Sequence, residues 1–203
     1  MRRREALALA GAVSAALALP AAAEPITLGG ITFSDELGGV TLHAGWGSGT
    51  TGDPFVLVEE ITDDGPAILI VRGLKDRLGD PLRGSGQNGF SLTKIVTNRT
   101  ERPWAAFELE LREHLEQPST YEDGLSFGQA NWAKRSFGAD RFATVSTTDE
   151  PLDAVVFSDG IVPAGETVTV TAMITDYTPL QEFFLLQRRE APVAALPALR
   201  LDG

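Results

Sequence analysis

The sequence predicts an all-β fold: a single antiparallel β-sandwich of about eight to ten strands, preceded by a cleaved N-terminal segment. Three observations predict it. Apolar and polar residues alternate with period two through most of the chain, the mark of half-buried strands. Short turn-forming clusters separate these runs: Asp63-Asp64-Gly65-Pro66, Gly79-Asp80-Pro81, Glu122-Asp123-Gly124, Ser158-Asp159-Gly160 and Pro163-Ala164-Gly165. No stretch keeps an apolar stripe at helical spacing, apart from one turn's worth at Leu74–Leu78.

Taken from the N-terminus, residues 1–23 read as an export signal of the Sec or twin-arginine type. Arg2, Arg3 and Arg4 form a basic start, Ala6 to Leu19 carry no charge, and Ala21-Ala22-Ala23 offers a small-residue cleavage site before Glu24. The apolar run is too short for a membrane-spanning helix. The expectation is a periplasmic or secreted protein with no transmembrane segment after cleavage.

The strands expected next are Ile26–Phe33, Val40–His43, Phe55–Ile61, Ala67–Val71 and Phe90–Thr97. In Trp104–Arg112, Phe107, Leu109 and Leu111 share one face, with Glu108, Glu110 and Arg112 on the other. After an irregular stretch over residues 113–140 come Phe142–Val145, Ala154–Phe157, Thr167–Ile174 and Glu182–Gln187. In Thr167–Ile174 the threonines alternate with Val168, Val170, Ala172 and Ile174; a branched hydroxyl side chain suits a wet pleat. The domain is thus expected over 24–190, with an extended tail over 191–203 marked by Pro192 and Pro197.

Composition limits the chemistry. The 203 residues include no cysteine and two histidines, His43 and His114, with 17 basic against 28 acidic side chains and a net charge of -11. Thiol catalysis, disulfide frameworks and Cys-ligated metals are excluded. Loss of residues 1–23 removes three Arg and one Glu, leaving 14 basic and 27 acidic groups, or -13 over 180 residues. Such a charge repels nucleic acid and anionic lipid.

Each motif that looks chemical fails its context. Gly47-Ser48-Gly49-Thr50-Thr51-Gly52 and Gly84-Ser85-Gly86-Gln87-Asn88-Gly89 match G-x-G-x-x-G, but each leads into a strand rather than a helix N-terminus. A turn is the reading that context allows. Gly124-Leu125-Ser126-Phe127-Gly128 matches G-x-S-x-G, yet both histidines precede Ser126, against the order an α/β-hydrolase triad requires. The histidines show no metal-ligand spacing. Asn98-Arg99-Thr100 is a glycosylation sequon whose alternative is an ordinary turn after a strand.

Two sets of candidate site residues remain. Trp46, Tyr121 and Trp132 are polar-tipped aromatics in loop-like surroundings, able to stack on sugar faces; Trp104 opens an amphipathic strand and is expected to pack. Glu122, Asp123, Asp149 and Asp153 supply clustered oxygen ligands of the kind calcium takes, although no calcium-loop spacing is present. No other cofactor is expected.

Val162-Pro163-Ala164-Gly165-Glu166-Thr167-Val168-Thr169-Val170, followed by Ile174-Thr175-Asp176, resembles the last hairpin of immunoglobulin-like and fibronectin-III-like modules of bacteria. The resemblance spans about Asp153 to Gln187 and implies a secreted sandwich. The Cys…Trp…Cys pattern of immunoglobulin domains is absent. The chain as a whole also resembles small exported proteins of Gram-negative bacteria, which carry over no site residues.

The expected function is that of an exported, non-catalytic module binding a protein or glycan through its loops. One alternative is a carbohydrate-binding or carbohydrate-modifying protein using Trp46, Tyr121, Trp132 and loop carboxylates. Another is a structural subunit of an extracellular assembly joined through sheet edges.

Overall fold

The computed structural model describes residues 24–76, 88–128 and 137–189. The expected signal segment, the tail, Trp132 and most of the second glycine loop lie outside them. The described residues are all-β, with two sheets and a single 3-10 turn at Tyr121–Asp123. Among the described residues no helix is long and apolar enough to cross a membrane.

The strands are β1 (Ile26–Leu28), β2 (Ile31–Ser34), β3 (Thr41–Trp46), β4 (Phe55–Ile61), β5 (Ala67–Arg72), β6 (Asn88–Asn98), β7 (Phe107–Arg112), β8 (Leu125–Ser126), β9 (Gly138–Ala139), β10 (Phe142–Thr148), β11 (Asp153–Gly160), β12 (Thr167–Asp176) and β13 (Glu182–Arg188). The first sheet runs β1-β2-β5-β13-β7-β11-β10, and the second runs β3-β4-β6-β12-β8, with β9 also on β12.

Among the described residues thirteen strands replace the expected eight to ten, for local reasons. Ile26–Phe33 is split into β1 and β2 by Gly29 and Gly30, both at positive φ, which glycine adopts without a steric penalty. The irregular stretch contributes the two-residue β8 and β9, each paired with β12. The turn at Leu74 is a single one, closed by Asp76 N–H to Gly73 C=O at 3.2 Å.

The expectation of a purely antiparallel fold needs one correction. β4 and β6 pair in parallel, from Phe55↔Leu92 to Ile61↔Asn98. The cause is the path between them: β5 returns in the opposite sheet, so β6 re-enters beside β4 heading the same way.

Inward positions follow the alternation. Phe55, Leu57 and Ile61 of β4, Phe90, Leu92 and Val96 of β6, and Val168, Val170, Ala172 and Ile174 of β12 meet Leu69, Leu109, Leu111, Val155, Phe157 and Leu185 of the other sheet. Phe33, Phe55 and Phe90 form an aromatic centre with ring centroids 5.5–5.9 Å apart, and edge-on rings of this kind add to simple burial. Trp104 is buried as expected and stacks on Phe107 at 5.9 Å.

The faces of β7 fall as the alternation requires, but its polar face is not wet. Glu108 and Glu110 are both buried. Arg188 of β13 bonds both carboxylates and Arg112 bonds Glu110 at 2.6 Å, while Leu186 is the register partner of Glu110. Pairing in two directions is what allows carboxylates to lose water here.

Candidate functional site

The loops gather at the two ends of the two sheets. One end holds the close of β5, β7 and β12, the start of β4, β6, β11 and β13, and the loops between them. Most residues singled out from the sequence lie at this end.

The local structure is built by side chains that satisfy backbone groups. After β7, Glu113 N–H donates to Ser119 Oγ at 2.8 Å, and Ser119 C=O accepts from Asp153 N–H at 3.2 Å, tying the loop to the start of β11. The turn at Tyr121–Asp123 ends at Gly124, whose φ of 92° a side chain would oppose. Asp123 Oδ1 accepts Leu125 N–H at 3.0 Å, which starts β8. The loop after β12 is stitched on by Tyr177 N–H to Gly124 C=O at 3.2 Å and Thr178 Oγ1 to Asp123 C=O at 2.7 Å.

The result brings Glu113, Asp123 and Asp176 into mutual electrostatic contact. Burial pushes the Glu113 carboxyl up to about 7, reinforced by the charges of Asp123 and Asp176. Asp176 is pushed up to about 6 by burial, against the N–H of Thr178 at 2.8 Å and with the charge of Asp123. Glu113 Oε1 is buried with no hydrogen-bond partner among the described residues. An open depression of about 450 Å³ adjoins Glu113, lined also by His114, Gln117, Leu180 and Phe184.

The other expected site residues are distributed around this cluster. Asp153 points inward and accepts from Ser126 Oγ at 3.0 Å, both buried. The serine of G-x-S-x-G is therefore a strap between β8 and β11. Glu122 is exposed and Asp149 partly so, at the turn before β11. Among the described residues no group of three or more His, Asp or Glu is placed to hold a metal ion. Trp46 is 49% exposed at the end of β3. Tyr121 stands just before β8, on the opposite edge of the same sheet. Four strand spacings separate those edges, roughly 19 Å. Both lie at the loop end, but not side by side.

The opposite end is organised by Asn98, wholly buried. Its Nδ2 donates to Arg102 C=O at 2.8 Å and Val162 C=O at 3.1 Å, and its Oδ1 accepts from Thr100 N–H and Oγ1 at 2.9 and 2.7 Å. Trp104 Nε1 completes the set by donating to Thr100 Oγ1 at 3.1 Å. The sequon is a structural turn whose amide protons are both in use. A cavity of about 160 Å³ nearby is lined by Arg102, Trp104, Arg188 and Arg189. Arg189 is committed to Asp63 C=O at 2.7 Å and to Gly65 C=O.

One polar group escaped the motif reading. Glu59 and Lys94 occupy inward positions of β4 and β6, 0% and 1% exposed, with Lys94 Nζ 2.7 Å from Glu59 Oε2. The carboxamide of Gln187 lies against Glu59 from the other sheet and helps hold its charge, outside hydrogen-bond geometry. The signal was present: Glu59 falls in the apolar register of Phe55-x-Leu57-x-Glu59-x-Ile61, and Lys94 in that of Phe90-x-Leu92-x-Lys94-x-Val96.

Comparison with family models, with curated proteins and with solved structures gave no match.

Proposed function

We propose that the protein is an exported, non-catalytic β-sandwich module that binds a partner through the loop end carrying Glu113, Asp123 and Asp176. The observation that carries the reading is the mutual proximity of these carboxylates at the loop end, where burial, reinforced by their neighbouring charges, raises Glu113 to about 7 and Asp176 to about 6. A basic group of a partner relieves that repulsion, so binding energy comes from charges the fold itself has placed together. The net charge of -11 steers the same class of partner towards the molecule. The absence of catalysis is supported by Ser126, whose buried hydroxyl is spent on Asp153. The Gly47–Gly52 loop leads into β4, not into a helix that could seat a phosphate.

Calorimetric titration with a Lys/Arg-rich peptide and its Glu-substituted counterpart tests this. Binding of the basic peptide alone, weakened about tenfold or more by Glu113→Gln with Asp176→Asn, is the expected result. Equal binding to the double variant, or no binding to the wild type, overturns it. Export is tested separately by fractionation and by N-terminal sequencing, with a new terminus at Glu24 expected.

A second reading rests on Trp46, whose 49% exposure beside the glycine loop suits stacking against a sugar ring. Quenching of indole fluorescence by oligosaccharides, lost in Trp46→Ala, supports it; an unchanged spectrum at millimolar sugar removes it.

A further inference from the structure

We infer that β10 is a self-association edge, at which two copies of the chain pair their β10 strands antiparallel about a twofold axis at Val145. An unpaired strand is a template for another chain, and folded proteins guard such edges with shortness, bulges or charge. The other edges here are guarded. β1 has three residues, β8 and β9 two each, and β3 is broken by a register shift between Leu42 and Ala44. β10 has none of these guards. Its seven residues, Phe-Ala-Thr-Val-Ser-Thr-Thr, carry no charge and no proline, and all but Phe142 are exposed. Its far side has no partner strand among the described residues.

The side chains select a second copy as the occupant. Val145 is the register partner of Phe157, a core residue, and so faces inward; yet it is 38% exposed. β10 is the outermost strand of the first sheet here. Pairing centred on Val145 sets the two valines against each other and covers both. It places Thr144 opposite Ser146 and Ala143 opposite Thr147, small uncharged side chains throughout. At both ends it sets Arg141 of one copy, whose guanidinium also holds Glu166 of its own chain at 3.1 Å, opposite Asp149 of the other, adding a second carboxylate to each guanidinium by symmetry. Asp140 is drawn off the ladder by Thr169 N–H, which it accepts at 2.8 Å. An unrelated partner strand would have no reason to match this arrangement of charges.

Sedimentation velocity on protein purified from cells expressing all 203 residues tests the proposal over roughly a thousandfold range of concentration. Wild type is expected to pass from monomer to dimer, and Val145→Lys to remain monomeric with an unchanged circular dichroism spectrum. Arg141→Glu or Asp149→Arg alone weakens the dimer about tenfold or more by setting like charges opposite, and the two combined in one chain restore it. Restoration distinguishes strand pairing from a general effect of charge. A wild type that stays monomeric, a dimer indifferent to Val145→Lys, or a double swap weaker than either single one overturns the inference. Glu113→Gln with Asp176→Asn leaves the dimer unchanged, so this result and that for the loop end are independent.

Discussion

Lys94 and Glu59 form an ion pair of 2.7 Å sealed between the sheets, on two strands that run parallel. Burial raises the Glu59 pKa and lowers that of Lys94, and each charge opposes the change in the other. Removing one partner leaves the other charge uncompensated. Lys94→Met is expected to cost about 3–5 kcal/mol in urea unfolding. Glu59→Leu with Lys94→Met should recover most of that loss, because an apolar pair fits the surrounding core. A double variant no more stable than the single one would show that the pair acts through packing alone.

Stability should fall as pH rises through the range set by Glu113 and Asp176. Their native pKa values, about 7 and about 6, lie above the ordinary 4.5 and 3.8. The folded state therefore holds protons that the unfolded state has released. This contribution is full below about pH 4 and is lost as pH passes 6 and then 7. Glu113→Gln with Asp176→Asn should flatten the melting temperature between pH 5 and 8 and raise it at pH 8, as read by scanning calorimetry. An identical slope in the double variant would assign the effect to other groups.

The first glycine loop gives a test of why its glycines are present. Gly47 has φ 99°, and a Cβ there would lie 2.0 Å from Pro54 C=O; at Gly52 a Cβ would meet nothing within 4 Å. Gly47→Ala is expected to cost about 1–3 kcal/mol, whereas Gly52→Ala should change stability by less than about 0.5 kcal/mol. A phosphate-binding loop would instead show binding sensitive to every glycine. Urea denaturation of both variants separates the two accounts.

Asn98 holds the β6–β7 and β11–β12 connections together through four hydrogen bonds. Asn98→Ala strands the Thr100 N–H and takes one of two donors from the Arg102 and Val162 carbonyls, and should cost about 2–4 kcal/mol. Asn98→Asp keeps the acceptor but loses both donors, and is expected to lie close to the alanine variant. Thermal unfolding monitored at Trp104, which is linked to the same network through Thr100, provides the readout.

Much of the fold was legible because period-two alternation reports directly on which face is buried. Thr167–Ile174 is a strand in nearly those bounds, Trp104–Arg112 is one from Phe107 onward, and the Gly47–Gly52 loop leads into a strand as its context implied. What alternation does not carry is the identity of a strand's neighbours. The pairing of Leu125 with Asp176, which brings Asp123 to Asp176 across some fifty residues of chain, has no local signature. The parallel arrangement of β4 and β6 depends on β5 crossing to the other sheet, again a long-range fact. Glu59 and Lys94 stood in view as charges of opposite sign in two apolar registers. No loop motif marks them, because both lie in mid-strand.

β13 is the last strand of the described chain, yet it lies between β5 and β7, in the middle of the first sheet. Until Glu182–Arg188 has been synthesised, that sheet exists as two separate halves with facing open edges. Each growing chain is then an incomplete template, and slow non-local pairing must wait for β13 to arrive. Closure of the first sheet is thereby tied to a single strand that joins its two halves. A truncation that removes only β13 should therefore forfeit the whole fold.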